Sequence, residues 1–419
     1  MAQLRYLDLF AGAGGLSEGF IRAGFKPVSH VEMDTAACYT LKTRLAYKWL
    51  QDKGREQLYN DYLNGDITRN EFYEEVPDEI LSTVLNCEIS WENIEHIFKN
   101  IDENLKGQKI DLIVGGPPCQ AYSLIGRARD RNSMLGDKRN YLYILYGEFL
   151  KRYKPKYFVF ENVLGLLSAK DTDDQLHFDK MRELFKECGY NTEYRQLNAA
   201  DYGVLQNRKR IILIGKYGGE QDFYPVIPQE ERRYMVREVF RDLPHLQAGE
   251  GQIRPVETLN YQGTYLYESG IKQINRQRVT FHCARPNTDQ DKEIYRIAVT
   301  LWDTEQKRLS YVDLPEYLRT QQNTDSFLDR FKVVASNIEC SQTVVAHVAK
   351  DGHYFIHPDI EQNRSLTPRE VARLQTFPDD FYFESVSGKG SRTMAYKQIG
   401  NAVPVLLAEK IAKSLLEVW

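Results

Sequence analysis

The first half of the chain alternates two kinds of hydrophobic spacing. Short apolar runs from Leu4 to Phe10, Pro27 to Val31, Ile110 to Val114, Tyr157 to Phe160 and Ile211 to Ile214 have the content of buried strands, with another strand-like piece from Tyr194 to Asn198. Between them apolar residues recur at every third and fourth position, the mark of a helix with one face on a core. That spacing predicts helices carrying Leu16, Phe20 and Ile21 up to Gly24, and helical stretches from Thr35 to Tyr62, Tyr141 to Tyr153 and Asp174 to Cys188. Another starts at Ser90, read as its cap, with Trp91, Ile94, Ile97, Phe98, Ile101 and Leu105 as the buried stripe. The polar, helix-like stretch from Thr68 to Leu85, added to the one before it, exceeds what a single crossover needs and predicts an insertion on the sheet's rim. Strand and helix alternate to about Gly215, which predicts an α/β fold on a doubly wound, mainly parallel sheet.

The pattern changes after Lys216. Prolines, tyrosines and polar residues then mix with short strand-like pieces, Gln342 to Ala346 and His353 to Ile356, as in a second, smaller and less regular domain. Order returns where Thr367, Pro368 and Glu370 spell a capped helix start, and Gln398 to Pro404 leads into a last amphipathic helix. We divide the chain into one domain of residues 1–216 and 390–419 and a second, with its hinge, of residues 217–389.

At 419 residues and 42% hydrophobic content the chain can bury a sizeable core. Its six cysteines are scattered, with no Cys-x-x-Cys pair, which argues against zinc and against a disulfide framework, and no metal site is expected. No apolar stretch approaches the roughly 18 residues of a membrane span, and no signal-type segment opens the chain, so a cytoplasmic location is expected. A net charge of −4 gives no support to generic nucleic-acid binding. Positive charge is local instead: Arg127, Arg129, Arg131, Lys138 and Arg139 in one stretch, Arg208, Lys209 and Arg210 in another.

Candidate chemistry gathers where predicted strands end. Gly115, Gly116, Pro117 and Pro118 break the third long apolar run and deliver Cys119 just past its carboxyl end, where open α/β sheets place their ligands. The two prolines fix two φ angles and so hold the thiol in one direction. Phe10, Ala11, Gly12, Ala13, Gly14 and Gly15 form a glycine-rich turn between the first strand and first helix that lets backbone approach a ligand. Glu32 ends the second strand about 20 residues later, where a carboxylate accepts both hydroxyls of a ribose. The pair implies an adenosine ligand, and the missing phosphate-type third glycine favours S-adenosylmethionine over NAD. Glu161 repeats on a neighbouring strand the position of Cys119, and Arg208 and Arg210 share a strand face by the period of two.

Taken in order, the segments from Asp8 to Gly15, Pro117 to Gln120, Glu161 to Val163, Gln206 to Arg210, Arg364 to Phe377 and Gly400 to Asn401 resemble the motifs of the DNA (cytosine-5) methyltransferases in their compact prokaryotic, restriction-modification form. The resemblance covers most of the chain. Only residues from about Lys216 to Asn363 lack a counterpart, where the family keeps its variable target-recognition domain.

The resemblance implies a Rossmann-like methyltransferase fold and transfer of a methyl group from S-adenosylmethionine to C5 of a cytosine flipped out of double-stranded DNA, leaving S-adenosylhomocysteine. Cys119 would add to C6, Glu161 would contact N3 and the exocyclic amine, and Arg210, with Arg208 beside it, would hold O2. Cofactor contacts would come from Phe10 to Gly15, Glu32, Met33, Glu88, Ile89, Pro117, Leu142, Asn401 and Ala402. DNA contacts would come from Pro118, Gln120, Ser123, Arg127, Asn162, Val163 and Thr343, with Arg129 on phosphate and His282, Arg285, Thr343 and His347 as candidate base readers. A monomer working beside a cognate restriction endonuclease is implied.

Two positions depart from the family pattern: Pro117 stands where many members carry an aromatic, and Met33 where an aromatic packs on adenine. Asp66 and Glu88 compete as the acid facing the adenine amine; chain order favours Glu88, because a single capped helix separates it from the cysteine strand. An RNA cytosine-5 methyltransferase and a catalytically silent DNA-binding regulator are the alternatives. The long second domain with the Arg364 to Phe377 segment favours duplex DNA over the first, and intact Cys119, Glu161 and Arg210 argue against the second.

Overall fold

The computed structural model describes residues 3–118, 141–325 and 327–419. Seven strands form the central sheet: β1 (Arg5–Leu9), β2 (Lys26–Glu32), β3 (Val84–Asn86), β4 (Leu112–Gly115), β5 (Tyr157–Asn162), β6 (Tyr190–Asn198) and β7 (Lys209–Tyr217), in the order β3-β2-β1-β4-β5-β7-β6. The first five run parallel, while β7 lies antiparallel to both β5 and β6. This is the mainly parallel, doubly wound sheet that the alternation predicts.

The helices of this half are α1 (Gly15–Arg22), α2 (Thr35–Asp52), α3 (Gln57–Asn64), α4 (Arg69–Glu74), α5 (Asp78–Leu81), α6 (Ile94–Leu105), α7 (Leu142–Tyr153) and α8 (His177–Glu187). Beyond β7 the described residues form β8 (Gly251–Gln252), β9 (Val256–Glu257), α9 (Tyr265–Glu268), β10 (Arg278–Val279), β11 (His282–Cys283), α10 (Asp289–Glu305), α11 (Pro368–Leu374), α12 (Arg392–Asn401) and α13 (Val405–Glu417). Helices α6, α7 and α8 bury one sheet face, and α1 with α13 the other. Gly19 sets that second contact: a Cβ there would sit 2.4 Å from the Cβ of Ala408, so only glycine lets α1 and α13 close on each other. None of the described helices is long and apolar enough to cross a membrane.

Several sequence expectations need correction. Trp91 is 63% exposed and lies outside the α6 stripe, because Ser90 opens a turn whose carbonyl accepts from Ile94 N at 2.9 Å and delays the helix. Tyr190 begins β6 earlier than expected, since the antiparallel ladder to β7 extends to Tyr217. Gln342 to Ala346 and His353 to Ile356 are not strands; isolated bridges at Ser341 and Ile356 take the place of ladders.

The stretch between α2 and β3 leads into the edge strand of the sheet, and it is not packed on the sheet alone. Tyr59, Tyr62, Leu63, Phe72 and Val76 are buried in one cluster with Val236, Phe281, Phe377, Phe381, Phe383 and Tyr396, so the insertion packs into the second half of the chain. The cap of α11 is as the sequence predicts: Thr367 Oγ1 accepts from Glu370 N at 3.3 Å, and Glu370 accepts from Thr367 N at 2.7 Å. Glu370 also takes both ends of the buried Arg364 guanidinium, at 2.7 and 2.8 Å.

Candidate active site

The glycine turn leaves β1 through left-handed backbone at Phe10, Gly12 and Gly14, with φ of 57°, 54° and 81°. Gly14 and Gly15 are pressed into the fold: a Cβ on the first would lie 2.7 Å from Leu41, and on the second 2.5 Å from the Val403 carbonyl. Over Gly12 there is open space, with no atom within 4 Å of a would-be Cβ. The Gly12 amide donates to one Glu32 oxygen at 2.8 Å and the Asp34 amide to the other at 2.7 Å. Each oxygen keeps a second lone pair for a ligand hydroxyl. Burial raises the Glu32 carboxyl above its ordinary value, although both amides pull the other way. An open cradle beside an oriented carboxylate fits the ribose of an adenosine cofactor.

β3 pairs in parallel with β2, Asn86 opposite Glu32, so Glu88 and the buried Ile89 follow a third parallel strand at the same sheet edge. Asn86 donates its amide to the Met33 carbonyl at 3.1 Å, and Asn93 does the same for the Glu88 carbonyl at 3.1 Å. Met33 itself is 60% exposed. Asp66 instead stands exposed after the Gly65 cap of α3, where the neighbouring side chain is Arg254. Leu142 opens α7 and packs partly buried on its core, while Asn401 is exposed at the end of α12 next to the buried Ala402.

The two glycines at the end of β4 are sites of close approach. A Cβ on Gly115 would lie 2.4 Å from the Leu9 carbonyl, and one on Gly116 would lie 2.6 Å from Oε2 of Glu161. Gly116 thus makes room for the Glu161 carboxylate beside Pro117 and Pro118. Arg210 Nε stands 2.8 Å from Glu161 Oε1, with the two side chains 12% and 14% exposed, and Arg210 also donates to its neighbour's Lys209 carbonyl. Asn162, 1% exposed, donates to the Pro117 carbonyl at 3.3 Å while its own side-chain oxygen accepts from Val163 N at 2.9 Å. The strand-end amide therefore holds the peptide two residues before Cys119. Cys119, Gln120, Ser123, Arg127 and Arg129 lie outside the described residues.

Arg208 does not join Arg210. β7 starts only at Lys209, and Arg208, 1% exposed, turns into the core, donating to the carbonyls of Val344 at 2.6 Å, Ala402 at 2.8 Å and Gly400 at 3.4 Å. Gln206, which sequence reasoning did not single out, is its counterpart: fully buried, it accepts from Val344 N at 2.8 Å and donates to the Leu374 carbonyl at 2.9 Å. Thr343 donates its hydroxyl to the Asn207 carbonyl, so the 341–344 segment is clamped along this stretch. The spacing of two that joins Gln206 to Arg208 was the available signal, and it does not carry on to Arg210, which turns toward Glu161.

Two proposed base readers have structural tasks. His282 is 1% exposed and bonds the Pro244 carbonyl at 2.8 Å, and Arg285 gives its guanidinium to the carbonyls of Lys350 and Val348, both at 2.6 Å. Burial removes His282 from any groove surface, while Arg285, half-buried, has its guanidinium engaged by these carbonyls. His347 is half-buried.

Comparison with known proteins bears on the same residues. The model of the C-5 cytosine-specific DNA methylases matches residues 4–67 and 79–417, a span that includes both the glycine turn and the Gly400 segment. The Type II methyltransferase M.Bpa9945I of Bacillus paralicheniformis is 40% identical, with 98% of each chain covered. M.DdeI of Desulfomicrobium norvegicum is 31% identical over 98% of this chain and 88% of its own. Among solved structures, a chain assigned as a prophage-encoded DNA modification methyltransferase of E. coli aligns at a TM-score of 0.63 with 22% identity, covering 99% of both chains, a likeness of fold. This chain belongs to the C-5 cytosine-specific DNA methylase family and is a DNA (cytosine-5) methyltransferase of the Type II restriction-modification kind.

Proposed function

We propose that Cys119, Glu161 and Arg210 carry the reaction, with the base flipped into the space between them. The observation that supports this most is the Glu161–Arg210 pair, set against Gly116 three residues before the cysteine. Cytosine C5 is too weak a nucleophile to take a methyl group unaided. Addition of the Cys119 thiolate to C6 moves the electron pair of the C5–C6 bond into an enamine, which makes C5 nucleophilic. Negative charge grows at O2 and N3 as the sulfur bonds, and Arg210 at O2 and a proton shared between Glu161 and N3 would meet it there. Once C5 carries the methyl group as well as its hydrogen, a base takes that proton, its electron pair restores the C5–C6 double bond and the thiolate leaves C6.

S-adenosylmethionine, when bound, supplies the electrophilic methyl group. Glu32 would hold its ribose, Glu88 and Ile89 its adenine edge, Met33 and Pro117 its ring faces, and the Phe10 to Gly15 turn, Leu142, Asn401 and Ala402 the rest of its surroundings. Asn162 orients the Pro117 carbonyl and acts on the cysteine through the intervening backbone. Flipping the base costs a few kcal/mol of stacking and pairing, and the Gln120 to Arg129 stretch, Pro118, Val163 and Thr343 are the proposed DNA contacts. Residues 1–216 with 390–419 would form the catalytic unit and 217–389 the reader of sequence, working as a cytoplasmic monomer beside a cognate endonuclease. The direct test is a duplex with 5-fluorocytosine at the target: the wild-type chain should form a denaturation-resistant adduct, since fluorine cannot leave as a proton does. Absence of the adduct at a site the enzyme methylates would refute the role of Cys119.

A further inference from the structure

The insertion α3 to α5 has no visible chemistry, yet it is tied with unusual density to one strap, residues 379–386. Glu384 is the centre of those ties. Fully buried, its carboxylate accepts from Tyr62 at 2.6 Å and Thr43 at 2.7 Å on one oxygen, with Arg69 3.5 Å from the other. Its backbone amide donates to Thr40 Oγ1 at 2.8 Å, and its carbonyl accepts from Gln398 at 2.9 Å. Arg69 stacks 3.5 Å over Tyr39 and donates to the carbonyls of Ser385 at 2.7 Å and Val386 at 3.0 Å. Asp380 is gripped by Arg44 at 2.8 Å, and its carbonyl by Tyr59 at 2.7 Å.

The other side of the same strap holds the second half of the chain. Asp380 accepts from Gln273 at 2.9 Å, the Asp379 amide donates to the Ile271 carbonyl at 2.7 Å, and Tyr382 packs on Phe281. Asn64 at the end of α3 accepts from Arg278 at 3.1 Å. Helix α2, which supplies Thr40, Thr43 and Arg44, starts three residues after Glu32.

We propose that the insertion is a brace that fixes the sequence-reading half against the cofactor side, with Glu384 as its positioning residue. A duplex gripped by two surfaces of one body is held by both only if the join is stiff; loosening it lowers the effective concentration of the second surface. The brace acts on DNA engagement and leaves the cofactor site and the chemical step untouched. Among the described residues, none of the junction touches Glu161 or Arg210.

The test removes both hydroxyl donors, Tyr62→Phe with Thr43→Val, leaving the buried carboxylate short of partners. With unmethylated plasmid DNA as substrate, KM for DNA should rise about tenfold, while kcat and calorimetric affinity for S-adenosylhomocysteine stay within about twofold of wild type. Adding Glu384→Gln, a neutral group of equal size that no longer needs those donors, should recover most of the lost KM. A KM unchanged in the double variant, or an affinity for S-adenosylhomocysteine that falls in step with KM, or no recovery with Glu384→Gln, would overturn the brace.

Discussion

Arg210 meets Glu161 at 2.8 Å across the antiparallel pair β5 and β7, while Arg208, two residues earlier, turns away to three backbone carbonyls. The two arginines of one motif therefore predict different losses. Arg210→Ala should lower kcat more than DNA affinity, because its proposed partner O2 gains charge only as sulfur adds. Arg208→Ala should cost about 2 to 4 kcal/mol of stability in denaturant melts, from buried carbonyls left without a donor. Equal effects of both on kcat at unchanged stability would contradict this division.

Gly116→Ala places a methyl 2.6 Å from Glu161 Oε2 and 3.0 Å from the Glu161 carbonyl. The side chain has to move, and with it the proposed partner of N3. Turnover should fall by tenfold or more, about 1.4 kcal/mol of barrier per decade, with S-adenosylhomocysteine binding near normal. Unchanged turnover would show that the carboxylate's position does not matter.

Glu88→Ala should weaken S-adenosylhomocysteine binding by about 1 to 3 kcal/mol, the range for leaving a ligand's hydrogen-bonding group unmet. Asp66→Ala should leave it unchanged, since Asp66 stands exposed at the far end of α3. Calorimetric titration of the two variants separates them, and a loss confined to Asp66→Ala would overturn the cofactor assignment.

His30 lies buried under the glycine turn, 2.8 Å from Ser17 Oγ, and burial lowers its pKa from 6.5 to about 4. As pH falls through that window the unfolded chain takes up a proton that the folded chain refuses, so stability falls. The lowered value means that this contribution is full above 6.5 and lost on the way to about 4. His30→Gln should flatten urea-melt stability against pH by up to about 1.4 kcal/mol per unit between pH 6 and 5. An identical slope in the variant would place the proton uptake elsewhere.

The sheet was legible because its strands are continuous apolar runs and its motifs fall at strand ends, where period and turn chemistry agree. Glu32 and Glu161 could be placed from that alone, whereas Glu88 was preferred over Asp66 only by the order of helix and strand that the resemblance requires. Trp91 misled because its spacing fits the stripe, while a turn at Ser90 shifts the helix past it. Arg208 misled because alternation says which residues share a face only within a strand, and it lies one residue outside. The Glu384 junction was illegible for another reason: its partners stand more than 300 residues away along the chain, and no local pattern marks a tyrosine or threonine whose hydroxyl meets a buried carboxylate.

The covalent role of Cys119 is the central claim, and it is tested by mapping 5-methylcytosine in the DNA of a methylation-free host that expresses the chain. Wild-type protein should mark one sequence context throughout, and Cys119→Ser, whose hydroxyl is far less acidic and nucleophilic than the thiol, should leave that DNA unmarked while still binding S-adenosylhomocysteine. Methylation of the same context by Cys119→Ser, or no 5-methylcytosine from the wild-type chain, would contradict the account.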